Sequence, residues 1–152
     1  MTISGFESLK SELEKLRSVE RPEVIQSIAA AREHGDLSEN AEYQAARERQ
    51  SFIEGRVAEL EDKVSRAQVI DVSTLSGKSV KFGATVVLAD EDADERSTYK
   101  IVGTDESDIS GGLLSITSPL AIALLGKTKG DSVEVTTPGG AKSYEIISVK
   151  FA

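Results

Sequence analysis

Cysteine is absent from this 152-residue chain, so neither a disulfide framework nor a thiolate metal site can form. Histidine occurs once, at His34. With no thiol and a single imidazole, the sequence carries no Ser–His–Asp or Cys–His set of the kind an independent hydrolase uses. No uninterrupted apolar run approaches the roughly 20 residues that cross a bilayer. Met1-Thr2-Ile3-Ser4-Gly5 lacks the basic and apolar blocks of a signal peptide. The expectation is a cytoplasmic protein with no membrane partner.

A basic excess is missing as well. Residues 1–75 hold 10 Lys/Arg against 15 Asp/Glu, and residues 76–152 hold 8 against 11. Neither half is the cationic body that grips free nucleic acid through its phosphates. Any nucleic acid this chain meets is expected to be held by another protein. Apolar content of 39% with 29% charged residues fits a folded protein of one domain or two small ones.

The pattern that is present changes period halfway. Phe6, Leu9, Leu13 and Leu16 follow one another at 3, 4 and 3 residues, a heptad seam flanked by charge. Pro22 interrupts the run and suits the first turn of a new helix. The pattern resumes at Val24, Ile25 and Ile28, becomes alanine-rich at Ala29–Ala31, and meets a stop at Gly35. A second helix is expected from about Leu37 to Ala67, with Ala46, Ile53, Val57, Leu60, Val64 and Ala67 on its seam. About 30 helical residues at 1.5 Å each give a rod of roughly 45 Å, nearly matched by the two segments of the first arm. An antiparallel helical hairpin follows, kept slender near its end by small residues (Ala29, Ala31, Ala41, Ala45, Ala46). Gly55 in the long helix has no explanation in the sequence.

From Val69 the runs are short and β-branched: Val69–Val72, Ala84–Ala89, Ser97–Val102, Leu113–Ile116, Ser132–Thr136 and Ser143–Val149. Thr137-Pro138-Gly139-Gly140 reads as a tight turn. Pro119 to Gly126 reads as one short helix capped by Ser118, and Asp90–Glu95 as a solvated hairpin loop. The fold class is therefore α+β in two domains. A coiled-coil hairpin over 1–75 precedes a small antiparallel β-sheet domain over 76–152, with the boundary near Ser73–Lys78.

Chemistry concentrates where the two long helices meet. Asp36 and Glu39, three residues apart at a helix start, can share a Mg²⁺ ion and position a water. Glu42 lies on a neighbouring face. The same spacing fits a capping box, with Asp36 as N-cap and Glu39 reaching back to it, and spacing alone favours the cap. Two carboxylates also hold Mg²⁺ weakly without further ligands. Arg32, Arg47 and Arg49 are the only Lys or Arg between Ala30 and Gln50. Arg47 reads either as an RNA contact or as a solvated arginine paired with a glutamate. Tyr43 either stacks on a base or packs against the facing helix. His34 suits the carbonyl end of a helix. Gly126-Lys127-Thr128 is no phosphate loop, because Ala121 stands where that motif needs glycine and the segment follows a helix. Phe82, Tyr99, Tyr144 and Phe151 read as core or docking surface.

Arg32 to Tyr43 resembles a signature of the bacterial Gre transcript-cleavage factors. Ser115-Ile116-Thr117-Ser118-Pro119-Leu120-Ala121 through Val133–Gly140 resembles that family's second signature, in the same order along the chain. The likeness spans essentially the whole sequence and is nearest the GreA branch, whose coiled coil carries the smaller basic patch. It implies a monomeric transcription elongation factor whose partner is bacterial RNA polymerase. The coiled coil would enter the polymerase's secondary channel, and an FKBP-like C-terminal domain would dock at the rim. Asp36 and Glu39 would then share the Mg²⁺ of the polymerase active site and orient the water that cleaves backtracked RNA near its 3′ end. On this view the chain binds no cofactor alone and is no enzyme itself. Arg47, Arg32 and Tyr43 become candidate RNA contacts. Ser38 stands where family members often carry lysine. A channel-binding regulator that does not promote cleavage is the alternative. A coiled-coil adaptor with a peptide-binding β-domain is a more distant one.

Overall fold

The computed structural model describes residues 1–33 and 40–151. The chain divides into two compact units, Phe6–Gln68 and a second formed by Val69–Ala152 with Met1–Gly5. The expected boundary between residues 75 and 76 lies inside the second unit.

In the helical unit, α1 (Ile3–Lys15) leads into a π-helical turn (Leu16–Glu20), followed by α2 (Arg21–Arg32) and α3 (Ala41–Arg66). The expected break at Pro22 is not a break. Lys15 and Arg21 on either side of the turn both keep right-handed helical angles, and the Arg21 N–H donates to the Leu16 carbonyl five residues back. Pro22 occupies the first turn of α2. A proline ring inside a regular helix clashes with the carbonyl four residues earlier, and the wider turn relieves that crowding. The turn also takes up one extra residue. A strict continuation of Leu9, Leu13 and Leu16 would place seam positions at 20, 23, 27 and 30. The buried residues are instead Val24, Ile28 and Ala31, each one later.

The facing seam of α3 is Ala46, Ile53, Val57 and Leu60, all buried, with Ile53 and Leu60 at 1% and 0% exposure. Val64 and Ala67, expected on the same seam, are half-buried. Ile25 was expected inside and lies 51% exposed, one step off the face that Val24 and Ile28 occupy. Each fully buried aliphatic side chain contributes about 1.5–3 kcal/mol. Ion pairs flank the seam on both arms. Arg21 makes a two-pronged contact with Glu54 (2.7 and 2.9 Å), Arg56 does the same with Glu12 (2.8 and 3.0 Å), and Arg17 pairs with Glu61.

The second unit is a five-stranded sheet in the order β3-β2-β1-β5-β4, made of β1 (Ala84–Asp90), β2 (Arg96–Val102), β3 (Leu113–Ser115), β4 (Ser132–Thr137) and β5 (Gly140–Phe151). Neighbours run antiparallel except β2 and β3, which are parallel. The loop from Gly103 to Gly112 carries the chain back across the unit, so β3 enters from the same end as β2. The tight turn pairs Thr137 with Gly140, and Gly140 takes φ 115°, a backbone angle that glycine adopts without strain. The helix α4 (Pro119–Leu124) starts at Ser118, whose side chain accepts from the Ala121 N–H. Ala121 and Leu124 close the core over Val86, Leu88, Ile101 and Ile146. Tyr99, Tyr144 and Phe151 pack partly buried against it.

Val69–Val72, expected as a strand, forms only an isolated bridge between Ile70 and Thr2 before a 3₁₀ turn at Val72–Thr74. The bridge holds the N-terminus in the β unit. The Glu106 carboxylate accepts from the Thr2 N–H (3.1 and 3.0 Å) and from the Thr2 hydroxyl. Gly5 is required beside it, because a Cβ there would stand 2.5 Å from Glu106 Oε1.

Candidate functional site at the closed end of the hairpin

Asp36 and Glu39 lie outside the described residues, as do His34 and Ser38. The site is therefore built from the helix ends that flank them. The last turn of α2 presents Ala31, buried at 2% exposure, and the exposed Arg32. The N-cap and first two turns of α3 present Asn40, Glu42, Tyr43 and Arg47.

Helix α3 begins at Ala41, later than the expected start near Leu37, and its N-cap is Asn40. Asn40 has extended backbone angles (φ −82°, ψ 103°), and its Oδ1 accepts from the Tyr43 N–H at 3.1 Å. That satisfies one of the amide groups every helix start leaves without an intrahelical partner. The N-cap position expected for Asp36 on this helix thus belongs to Asn40. The Asn40 amide is used at its other end too, where Nδ2 donates to the Ala31 carbonyl at 2.7 Å.

A second tie runs beside the first. Arg47 Nη1 donates to the Tyr43 hydroxyl at 2.9 Å, and its guanidinium lies 5.7 Å from the centre of the Tyr43 ring. Arg32, from the facing helix, acts on that hydroxyl in the same direction. Donation from Arg47 first and from Arg32 second holds the Tyr43 phenol below its ordinary pKa. Tyr43 is half-buried. Arg49, on the same helix, faces Glu23 at 3.7 Å and Glu20 at 4.0 Å. Ile25, Ile28, Ala29, Arg32, Arg47 and Gln50 line a shallow groove on this side of the hairpin.

Sequence reasoning brought Arg32, Tyr43 and Arg47 forward as separate candidates, and the fold brings the three together. It missed Asn40. The signal was available, since asparagine is among the strongest N-cap residues, but Asp36-x-x-Glu39 offered a more conspicuous capping pattern.

The second signature falls in the β unit. Ser115 and Thr117 share hydrogen bonds with Thr104 at 3.1 and 3.2 Å, and with each other at 2.8 Å, in an exposed cluster. It adjoins Ser118 and the start of α4, where Ile122 is 62% exposed. Among the described residues no helix is long and apolar enough to cross a membrane.

Comparison with known proteins identifies both halves. Residues 1–69 match the family "Transcription elongation factor, N-terminal", and residues 75–151 match "Transcription elongation factor, GreA/GreB, C-term". The transcription elongation factor GreA of Paracoccus denitrificans is 64% identical over 151 residues, covering 99% of this chain and 96% of that protein. The GreA of Phenylobacterium zucineum is 61% identical over the same shares of each chain. Among solved structures, GreA factor homolog 1 (Gfh1) of Thermus thermophilus is 28% identical. That match covers 99% of this chain and 97% of the other at a TM-score of 0.44, a value that leaves the assignment to the sequence comparisons. On the strength of those comparisons, the chain belongs to the GreA/GreB family of transcription elongation factors.

Proposed function

We propose that this chain acts on RNA polymerase by entering its secondary channel with the closed end of the hairpin, where it stimulates the polymerase's own cleavage of backtracked RNA. The observation that best supports this reading is the assignment of duties at the hairpin end. Asn40 caps α3, so starting that helix does not require Asp36 or Glu39, whose carboxylates suit oxygen donation to a hard cation.

Their chemistry fits a hard cation, and their number fits a borrowed one. Mg²⁺ takes six oxygens in a near-octahedral shell, so two carboxylates complete it only when another molecule supplies the rest. In the complex, the Mg²⁺ of the polymerase active site supplies Lewis acidity and activates water. This chain's part is to bring two anionic donors on a thin, rigid support and to withdraw them with the hairpin. Arg47, hydrogen-bonded to Tyr43, and Arg32 supply cationic and stacking contacts to the RNA near its 3′ end. The β unit docks at the channel rim. The protein works in this way as a monomer in the cytoplasm, and the hydrolysis belongs to the polymerase.

The test is a defined backtracked complex with Mg²⁺, with and without the protein. Parent protein is expected to shorten the RNA. Asp36→Ala and Glu39→Ala are expected to abolish the effect while keeping polymerase binding and helical content. Undiminished cleavage with the double variant would overturn the reading. Slowed elongation without RNA shortening would favour a channel regulator instead.

A further inference from the structure

We infer that the β unit carries an anion-binding cleft for a small molecule bearing a diphosphate group, with Lys78 and Lys129 as its two cations. The inference stands apart from the elongation-factor reading above. The cleft has a volume of about 550 Å³ and is lined by Gly77, Lys78, Thr128, Lys129, Ser148 and Val149. That volume lies within the roughly 300–1,000 Å³ of small-ligand sites. Its mouth is open at Gly77, where a Cβ would meet nothing within 4 Å.

Backbone pairing builds the cleft. Ser79 and Thr128 form an isolated antiparallel bridge. Beside it the Val80 N–H donates to the Lys127 carbonyl, and the Gly126 N–H to the Val80 carbonyl, both at 2.8 Å. The loop that carries Lys129 is tied on its other side to β5. There the Gly130 N–H donates to the Ile146 carbonyl at 2.8 Å, and the Ile146 N–H to the Asp131 carbonyl at 2.9 Å. Ser148 and Val149 lie just beyond on β5, both half-buried, with Val149 packed against the core. In an antiparallel bridge the residue before one partner lies opposite the residue after the other, so Lys78 faces Lys129.

Like charges directly opposite each other across paired strands are destabilising. Residues 77–80 and 126–131 together hold three lysines and one carboxylate, Asp131. That carboxylate is engaged within its own loop, where Oδ2 accepts from the Thr128 N–H at 2.9 Å and from the Thr128 hydroxyl at 3.2 Å. An anion seated between Lys78 and Lys129 removes their repulsion. Diphosphate matches the pair, one phosphoryl group to each ammonium, which binds it as a point charge. The Ser148 hydroxyl adds a neutral donor, and Val149 offers an apolar wall to the rest of the molecule. Gly126-Lys127-Thr128 does not act here as a phosphate loop. The charge comes from side chains and not from a row of amides at a helix start.

The test is a titration of the full chain with inorganic pyrophosphate in the absence of Mg²⁺, followed by NMR of the backbone amides. The Lys78, Thr128, Lys129 and Ser148 signals are expected to shift in a saturable way, and NaCl at matched ionic strength to leave them in place. Lys78→Ala and Lys129→Ala should each weaken binding about 5–10-fold. Lys129→Glu sets a carboxylate opposite Lys78. It should abolish the response and, without ligand, raise the melting temperature of the Tyr99 and Tyr144 signals by about 1–5 °C. A parent protein that shows no saturable shift, or shifts that NaCl reproduces, would overturn the cleft. So would unchanged binding in both alanine variants, or a Lys129→Glu protein that takes pyrophosphate as the parent does.

Discussion

The helical unit and the β unit solve the problem of stability differently. The hairpin has one row of buried side chains between two helices, with charged pairs along its margins. The β unit closes a helix and loops over a sheet, so its buried residues are enclosed from several sides. The cross-arm ion pairs Arg17–Glu61, Arg21–Glu54 and Arg56–Glu12 lie along the hairpin seam. A slender rod of two helices has little room for a core. It gains register and solubility from paired charge, while the sheet relies on enclosure.

The largest expected effects test whether the two solutions are independent. Ile53→Ala removes a fully buried side chain from the seam, and Leu88→Ala does so from the sheet. Each should cost about 2–5 kcal/mol. The first is expected to lower the thermal stability of the helical signal, and the second that of the tyrosine signals from Tyr99 and Tyr144. Loss of both signals in one transition for both variants would show a single cooperative body and break the comparison.

A smaller effect of opposite sign is expected at Gly55. A Cβ placed there meets nothing within 4 Å, and alanine favours a helix interior by about 1 kcal/mol over glycine. Gly55→Ala should raise the melting temperature of the helical signal by about 4–8 °C. No gain would mean that the long helix needs its weak point.

The charged margin is expected to matter less, and in a pH-dependent way. Hydrogen bonding from Arg56 holds the Glu12 carboxyl below its ordinary 4.5. A depressed folded-state pKa adds stability above the ordinary value, and that stability is lost as pH falls through the folded one. Glu59 is held low in the same sense, by Lys63 first and Arg56 second. The Arg56→Met difference in stability should therefore be present at pH 7 and vanish well below pH 4.5. With Glu12 41% exposed, its size should not exceed about 1 kcal/mol. A difference that persists in acid would reassign Arg56 from charge pairing to packing.

The smallest effect concerns a titration and not stability. Arg47→Ala should move the Tyr43 phenol up toward its ordinary 10.0, followed by NMR or ultraviolet absorbance, with folding unchanged. An unmoved titration would leave Arg32 as the main partner.

Much of this architecture was legible in the sequence because the relevant forces are local and periodic. The seams of both arms, the Ser118-capped helix and the turn at Thr137–Gly140 depend on neighbouring residues and a fixed period. What was not legible depends on distant partners or on competition between local solutions. Val69–Val72 has strand composition, yet its one available partner is the N-terminus, which offers a single bridge. The direction of β3 is set by the path of Gly103–Gly112 and not by the strand's own residues. Asn40 lost to Asp36 on pattern, because sequence shows how well a residue can cap a helix and not where that helix begins. Pro22 looked like an interruption because proline's usual effect is to end a helix, and the wider turn that accommodates it leaves no distinct periodic signal.

That wider turn makes Leu16–Glu20 the one place in the first arm where the chain can gain or lose a residue at small angular cost. A helix advances about 100° per residue. A single insertion elsewhere between Leu9 and Ala31 would swing Ile28 and Ala31 around the rod's axis, and everything the arm carries at its end with them. Inside the π turn, the same change alters the size of one hydrogen-bonded ring. The arm thus has a built-in compensator for length, and the facing of Ala31 is governed by a turn more than ten residues away.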